Sequence, residues 1–518
     1  MSRAGVLAVA LAGMLALPLV AEAPVFADRS TALPVAHVYS GGWEHFVGGG
    51  VAVFDCNGSG FPSLFVAGGE APGRLFRNVT PAPGAPPAFE FGEIPELTGV
   101  TGAYPLDIDG DGILDLAVLR VGPNLLLRGE GDCRFSDATA EWGFHPGNGW
   151  SSAFAATWEP GARWPTLAVG NYVDRDDPDG PFMACDDNEL HRPDLKRGGR
   201  GFVAPIALSP GYCALSMLFS DWTRSGRQDL RISNDRHYYV RDGHEEMWRL
   251  DEMRPLDAAD GWPEISLWGM GIASRDITGN GYPDVMLTSM GDQLLQLNEG
   301  DGALRNAPFE MGTYAQRPFI GDDGRPATGW HAEFGDIDNN GRADLFIAKG
   351  NVDQMPSNAM RDPNNLLMQQ SDGSFTEYAD TAGIATTDRA RGAALADLNR
   401  SGLLDIVVIN RRAPMEIWEN RTPHAGNWIQ LEPRMAGVNT RAVGAWVELR
   451  AGGWVQRQEI TVGGGHAGGQ AGPLHFGLGT AGAAELRIRW PEGQVTGWMP
   501  MEINRQHRIA PQDFTDQR

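Results

Sequence analysis

The sequence predicts an all-β fold, a seven-bladed β-propeller followed by a small β-sandwich-like domain. Two observations support this prediction. A short acidic loop motif occurs six times between residues 55 and 405, and an apolar strand-like run follows each copy. Beyond residue 426 the motif is absent, and glycine-rich turns separate short alternating strands. Units of four short strands repeated radially are typical of propellers, which leave few open sheet edges. An open solenoid is the architectural alternative, although its repeats are usually shorter.

The clearest copy of the motif reads DIDGDGILDLAVL and begins at residue 107. Asp107, Asp109, Asp111 and Asp115 stand at positions 1, 3, 5 and 9, and Gly112 at position 6 permits a sharp turn. Carboxylates that converge in a tight loop repel one another unless a cation lies among them, and Ca²⁺ suits such oxygen ligands. An EF-hand closes with Glu at position 12 and enters a helix, whereas here a strand follows. The motif therefore predicts a calcium loop in a β-hairpin, and an acidic surface turn is the alternative.

Other copies keep oxygen-bearing side chains at the same positions, which favours metal binding over random acidity. The predicted Ca²⁺ ligand residues are Asp107, Asp109, Asp111, Ile113, Asp115, Asp221, Thr223, Ser225, Asp229, Asp276, Thr278, Asn280, Asp284, Asp336, Asp338, Asn340, Asp344, Asp397, Asn399, Ser401 and Asp405. A weaker site is predicted at Asp55, Asn57 and Ser59, because Ser63 stands where the closing carboxylate belongs.

The spacing of the motif gives the number of units. Steps of 52, 55, 60 and 61 residues separate most copies, but one step measures 114 residues. We therefore expect a hidden unit within that step, at residues 154–169, where strand, turn and strand remain but the ligands are lost. The third strand of a unit is predicted at 74–78, 124–127, 293–298, 365–368 and 415–418. Seven units result.

These repeats resemble FG-GAP/VCBS repeats, the blades of integrin-α-type propellers, over residues 40–420. The segments 427–431, 444–449, 463–470, 474–479 and 487–493 resemble the ASPIC/UnbV domain. Together the two parts are similar to the secreted cartilage-acidic-protein-1 family, in a bacterial-looking version. The resemblance implies the fold and calcium more firmly than a function. The expected domains are a signal peptide at 1–27, the propeller at 35–422 and the ASPIC/UnbV domain at 427–512.

Composition and the first residues restrict the class of protein. The 518 residues include 42% hydrophobic and 21% charged residues, which indicates a globular chain of two domains. A net charge of −24 argues against nucleic-acid binding.

The first residues predict a secretory signal peptide, with a membrane anchor as the alternative. The signs are Arg3, an apolar run at 6–20 and a small-residue site at 25–27. The run is short and Pro18 interrupts it, and no later segment is long enough to span a bilayer. We expect an exported protein that is periplasmic, extracellular or on the cell surface.

Four cysteines allow three connectivities. Cys185 and Cys213 bracket an irregular segment and are predicted to pair. Cys56 lies in the first loop and Cys133 in a turn before a fourth strand, so these two form the second predicted pair. Free buried thiols are the alternative.

Two further regions are candidate ligand sites. Aromatic and histidine side chains stand just before the first strands of several units and are predicted to ring one mouth of the channel, where they would stack on a sugar or clamp a peptide. They are Trp43, His45, Trp150, Trp268, Trp330 and His331. Wedges packed between blades are the alternative. The long insertion 174–213 carries Asp174, Asp176, Asp177 and Asp179, an extra cation site or simply a solvated acidic loop.

The motifs favour a binding protein over an enzyme, since neither G-x-S-x-G nor H-E-x-x-H occurs. We expect an exported calcium-binding propeller that binds an extracellular or periplasmic protein or glycan. An enzyme acting on an extracellular polymer at the channel mouth is the alternative, and a structural assembly component is a third possibility.

The glycine-rich run 463–470 is expected to pack closely against the propeller or its own sheet, with recognition left to the propeller. A chain ending near Thr422 is expected to fold and to bind calcium and ligand.

Overall fold

The computed structural model describes residues 23–178, 180, 184–235, 243–300, 302–318 and 324–514. Most of the predicted signal peptide lies outside these residues. Strands dominate, and the helices in the described ranges are short 3₁₀ segments. They are Ser30–Ala32, Trp43–His45, Leu195–Arg197, Ala258–Asp260, Phe309–Met311 and Pro511–Phe514. None of the helices in this part of the chain is long and apolar enough to cross a membrane.

Strand β1 and three sheets come first in the chain, and the first of these sheets gains a fifth strand, β32 (Gln470–Ala471), from the C-terminal region. They are β1 (Phe26–Asp28); sheet 1 with β2 (Val51–Phe54), β3 (Ser63–Val66), β4 (Arg74–Asn78) and β5 (Phe89–Phe91); sheet 2 with β6 (Val100–Leu106), β7 (Asp115–Arg120), β8 (Leu125–Gly129) and β9 (Phe135–Asp137); and sheet 3 with β10 (Ser151–Thr157), β11 (Thr166–Asn171), β12 (Asn188–His191) and β13 (Ile206–Leu208). Sheet 3 lies where the hidden unit is expected, and its loop lacks the motif.

Four more sheets follow. They are sheet 4 with β14 (Ala214–Ser220), β15 (Asp229–Asn234), β16 (Glu246–Arg249) and β17 (Arg254–Pro255); sheet 5 with β18 (Gly269–Arg275), β19 (Asp284–Ser289), β20 (Leu294–Gly300) and β21 (Ala303–Asn306); sheet 6 with β22 (Gly329–Gly335), β23 (Asp344–Lys349), β24 (Asn365–Gln369) and β25 (Phe375–Glu377); and sheet 7 with β26 (Arg389–Ala396), β27 (Asp405–Arg411), β28 (Glu416–Asn420) and β1.

The seven sheets form a closed ring, as expected of a β-propeller. The first strand of each sheet contacts the first strand of the next, and β26 contacts β2. These inner strands are rich in small residues, such as SSAFAAT in β10 and RARGAALA in β26. Small side chains let the strands converge at the axis, and nearly every residue of these strands is buried.

The ring is closed by the N-terminal segment. β1 pairs antiparallel with β28 as the outer strand of sheet 7, with Phe26 opposite Asn420. Val25 extends this pairing, because its N–H donates to Thr422 Oγ1 at 3.1 Å. The propeller therefore begins before residue 35, and a signal peptide ending at Ala27 would remove most of this strand.

The C-terminal region forms two sheets around its own core, as the sequence predicts. Its strands are β29 (Asn427–Pro433), β30 (Trp446–Ala451), β31 (Trp454–Glu459), β32 (Gln470–Ala471), β33 (Leu474–Gly479), β34 (Ala484–Arg489), β35 (Met499–Met501) and β36 (Gln506–Ile509). One sheet has the order β33-β29-β36 and the other β31-β30-β34-β35. Side chains from both sheets, including Leu431, Phe476 and Ile488, pack in one apolar cluster.

Residues 462–471 leave this domain and enter the channel of the propeller; we call them the plug. The plug hydrogen-bonds to inner strands, for example from Ala103 N–H to Ala467 O and from Gly465 N–H to Ile272 O. β32, at its end, pairs parallel with β2. A Cβ atom on Gly468 would lie 2.3 Å from Val51 O, so glycine is required for this approach. The expected close packing of the glycine-rich run is confirmed.

Both predicted disulfides are present, Cys56–Cys133 and Cys185–Cys213. The first joins the loop of sheet 1 to a turn of sheet 2. The second ties the long insertion of sheet 3 to the residue before β14. The cysteines thus link neighbouring sheets.

Replacing Gly102 by alanine should destabilise the protein, because the added Cβ would lie 1.8 Å from Ala467 O in the plug. Overpacking of this kind costs about 1–3 kcal/mol in the free energy of unfolding. Chemical denaturation of the full chain measures this change. Gly497→Ala is the control, since a Cβ there meets nothing within 4 Å. Equal stability of the two variants would show that the plug does not occupy the channel.

Candidate functional site

The acidic loops and the tryptophans lie at opposite ends of the ring. Each loop joins the inner strand of a sheet to the second strand, so it follows the C-terminal end of the inner strand. Trp150, Trp268 and Trp330 lie at the N-terminal ends of inner strands. Because the inner strands run in the same direction, the ring has a loop face and a tryptophan face.

All six loops share one hydrogen bond. The glycine at position 6 donates its N–H to Oδ2 of the aspartate at position 1, at 2.7–3.0 Å. The six glycines have φ between +80° and +99°, a left-handed conformation that other residues rarely adopt. The donors are Gly60, Gly112, Gly226, Gly281, Gly341 and Gly402. The repeated glycine is therefore explained by backbone geometry.

The aspartate at position 9 holds the sheet together as well as lying in the loop. Asp115 Oδ2 accepts the Ile108 N–H at 2.7 Å, and Oδ1 accepts the Gly129 N–H of the third strand at 2.9 Å. Asp284, Asp344 and Asp405 accept the equivalent pairs of N–H groups. In sheet 1 the Ser63 hydroxyl accepts one of these donors, the Asn78 N–H, at 3.1 Å.

Two loops bring three carboxylates together. Oxygens of Asp107, Asp109 and Asp115 lie within 4.8 Å of one another, and so do those of the corresponding set in sheet 6, residues 336, 338 and 344. Asp111 does not join the first set. It is exposed, and its Oδ1 accepts the Ile113 N–H at 2.8 Å. The structure thus groups positions 1, 3 and 9 of the predicted ligands.

The loop carboxylates are in surroundings that disfavour their ionised form. Burial raises the pKa of Asp115 well above its usual range, and burial together with Asp336 and Asp338 does the same for Asp344. Burial also raises the pKa of Asp284 to about 6. A cation would offset the cost of keeping these groups charged.

The remaining loops keep fewer carboxylates but contain unpaired oxygens. Asp221 Oδ1 and Asp276 Oδ1 are buried and accept no hydrogen bond, whereas Asp229 Oδ1 lies 3.3 Å from Arg227 Nε. Oxygen donors of this kind, in loops that also place Thr and Asn oxygens nearby, fit a hard divalent cation.

Sheet 3 shows how a unit dispenses with the motif. Its loop holds Glu159, which pairs at 2.8 Å with Arg192, the residue that follows β12. Thr166, at the place of the closing aspartate, donates its hydroxyl to Glu159 Oε1 at 2.6 Å. In this sheet the positive charge beside the loop carboxylate Glu159 thus comes from the Arg192 guanidinium.

The predicted aromatic set is largely packed inside the channel. Trp150 and Trp330 are fully buried, and His45 and His331 nearly so. Trp330 lies between the plug residue His466, at 5.0 Å, and the Arg391 guanidinium, at 4.1 Å. The packing alternative is therefore correct for these residues.

Trp43 is the member of that set that faces solvent. It is 48% exposed and lies edge-on against Trp150, with ring centroids 5.0 Å apart. Trp268 is partly buried at the same face. The tryptophan face thus presents one indole over a packed aromatic base.

The four aspartates of the insertion are not brought into a metal cluster in the described part of the chain. Asp174 Oδ1 accepts the Asp176 N–H at 2.9 Å, which is an ordinary turn contact. Asp179 lies outside the described residues.

The chain matches two protein-family models. Residues 276–347 match the FG-GAP-like repeat, and residues 436–516 match ASPIC and UnbV. The first segment contains the loops of sheets 5 and 6, and the second most of the C-terminal domain. The fold and these segments define a β-propeller protein that carries FG-GAP-like and ASPIC and UnbV regions, as the sequence resemblance predicts.

The chain is similar to two curated relatives that have the same name. Cartilage acidic protein 1 of Mus musculus is 28% identical over 170 residues, which is 30% of this chain and 23% of the relative. The Homo sapiens protein is 29% identical over 147 residues, 28% of this chain and 19% of the relative. The matched region spans less than a quarter of either relative.

The chain is weakly similar to several solved structures, which share little of its sequence. BBS1N in complex with ARL6DN is 11% identical with a TM-score of 0.46, covering 77% of this chain and 97% of that one. The BP39L lectin from Burkholderia pseudomallei is 10% identical with a TM-score of 0.41, covering 72% and 96%.

The stability of the metal-free protein should fall as the pH rises. Burial raises the pKa of Asp115, Asp284 and Asp344 in the folded state, so their stabilising contribution is present below about pH 4 and lost as the pH passes the folded-state values. A calcium ion held by the same oxygens would compete with protons and would bind better at higher pH. The gap in Tm between calcium-loaded and metal-free protein should therefore widen from about pH 5.5 to about pH 8. A constant gap in thermal unfolding would contradict this assignment.

Proposed function

We propose that the protein is an exported calcium-binding β-propeller that recognises a protein or glycan through its tryptophan face. One observation carries the calcium part, namely the convergence of carboxylates from positions 1, 3 and 9 in loops of the same design. The recognition part rests on a difference between the two faces of the ring. The C-terminal domain covers the loop face, so the tryptophan face is left for a ligand.

Calcium would be held by the loop oxygens, chiefly those of residues 107, 109 and 115 and of residues 336, 338 and 344. When bound, it neutralises the converging carboxylates and fixes the loop between two strands. Affinity generally rises with the number of charged ligands. The loops 107–115 and 336–344, each with three converging carboxylates, are then the tightest sites, and the loop at Asp55, with one carboxylate, is the weakest.

Recognition is assigned to the tryptophan face because the loop face is covered. Glu448 of the C-terminal domain pairs with Arg224 of the sheet 4 loop at 2.9 Å, and Glu459 accepts the Asp221 N–H at 2.8 Å. Trp43 is exposed at the other face, and exposed aromatic side chains are enriched at binding surfaces.

Export is supported by the cysteines. Both pairs of the chain are disulfide-bonded, which is typical of oxidising compartments. Calcium is plentiful in the same compartments. A signal peptide that ends before β1 would direct the chain to this location and leave sheet 7 complete.

Asp338→Asn should reduce the stabilisation by calcium. A metal that binds only the folded state adds about 2.7 kcal/mol per site at a hundredfold excess over Kd. The variant removes one of three clustered carboxylates while keeping an acceptor for the Asn340 N–H. Thermal unfolding with and without calcium measures the effect, and Asp380→Asn, an exposed acid outside the loops, is the control. If calcium leaves the Tm of the wild-type protein unchanged, the calcium proposal fails.

Trp43→Ala should weaken ligand binding at least tenfold, about 1.4 kcal/mol, because it removes the exposed indole of the tryptophan face. A glycan array followed by titration of the full chain measures the effect. Phe91→Ala is the control, since Phe91 is equally exposed, at 50%, but lies on the outer strand of sheet 1. Unchanged affinity of the Trp43 variant would place recognition elsewhere.

A further inference from the structure

The C-terminal domain contacts the aspartate at position 1 in several loops. Thr440 Oγ1 donates a hydrogen bond to Asp107 Oδ2. Gln430 Nε2 donates to Asp397 Oδ2 at 3.0 Å. The same kind of contact occurs in sheet 5, where Arg457 Nη1 lies 3.2 Å from Asp276 Oδ2.

In all three loops the contacted atom is the same oxygen. Oδ2 also accepts the N–H of the position-6 glycine, at 2.8 Å in the loops of Asp107 and Asp397 and 3.0 Å in that of Asp276. Two donors therefore fix this oxygen and with it the orientation of the carboxylate. The second oxygen, Oδ1, receives no donor from the C-terminal domain, and at Asp276 it is buried without any partner.

A fourth loop is covered by backbone instead of a side chain. A Cβ on Gly477 in β33 would lie 1.9 Å from Asp336 Oδ2, so only glycine permits this approach. The neighbouring His475 Nε2 lies 2.7 Å from Asn339 Oδ1 in the same loop. The domain thus follows the loops around the ring.

We propose that Thr440 and Gln430 of the C-terminal domain are positioning residues for the calcium ligands of the propeller, so that calcium binding and docking of this domain stabilise each other. This rests on the proposed calcium function. Partners in the layer outside the ligands orient them, and their loss typically lowers metal affinity about 10- to 100-fold. Coupling between two binding events is reciprocal. Calcium should therefore also hold the plug in the channel.

Hydrogen–deuterium exchange of the full chain, followed peptide by peptide during a calcium titration, tests this proposal loop by loop. Thr440→Val should raise the calcium midpoint of residues 107–115 about tenfold and leave that of residues 336–344 unchanged. Gln430→Leu should act in the same way on residues 397–405, which keeps the test valid if one variant misfolds. Thr480→Val, at an exposed threonine of the same domain, should change neither midpoint.

The reciprocal effect is measured on the plug. Amides of Gly464 and Gly465 donate to Met217 O and Ile272 O, so their exchange reports on insertion. Calcium should slow their exchange. Asp109→Asn, which removes the charge of a loop carboxylate but keeps an acceptor for the Asp111 N–H, should raise the calcium needed. The coupling alone would be overturned by three results together. The protein would bind calcium, Thr440→Val and Gln430→Leu would leave the calcium midpoints unchanged, and exchange of the plug would not depend on calcium. Absence of calcium binding would overturn the proposed function as well.

Discussion

The propeller depends on buried aspartates that accept hydrogen bonds from the backbone of their own sheet. Asp115 is 1% exposed and still accepts N–H groups from both the loop and the third strand. Such a carboxylate must lose its water, and the N–H groups return only part of the lost solvation. The charge of the loops and the order of the strands therefore depend on the same carboxylates. Sheet 3 has an ion pair in place of the buried aspartates, and sheet 1 has a serine hydroxyl in place of the position-9 carboxylate.

The same strand direction that places the loops together also separates two kinds of surface. Acidic loops collect where the inner strands end, and the C-terminal domain brings arginines and amides to that face. Arg457 at Asp276 and the trio Arg434, Arg441 and Arg508 around Glu432 are examples. At the other face the plug, Arg391 and the tryptophans fill the channel. The hole that a ring must leave at its axis is thus closed by the chain itself.

Local chemistry was predictable from sequence, and distant pairing was not. The Asp–Gly pattern predicted the loops and the strands beside them because these depend on residues a few positions apart, and the spacing of the copies indicated the hidden unit. The glycines of 463–470 predicted close packing, but no local signal indicates that the target is the propeller channel. Trp150 and Trp330 were predicted as ligand contacts, yet they are buried since filling of the channel depends on the whole ring. Phe26 and Ala27 were predicted to belong to a signal peptide from the local pattern of charge, apolar run and small residues. Their pairing with Glu416–Asn420 leaves no local signal in the sequence.

The pairing of β1 with β28 has a consequence for the order of events during folding. Sheet 7 needs residues from both ends of the propeller, so a chain made from its N-terminus holds an unfinished ring until residue 420 is available. Contacts of such sequence separation are slow to form. Until β1 and β28 have paired, β28 has an open edge that can pair with another molecule. A chaperone that shields this edge during synthesis or transport would therefore raise the yield of the native protein.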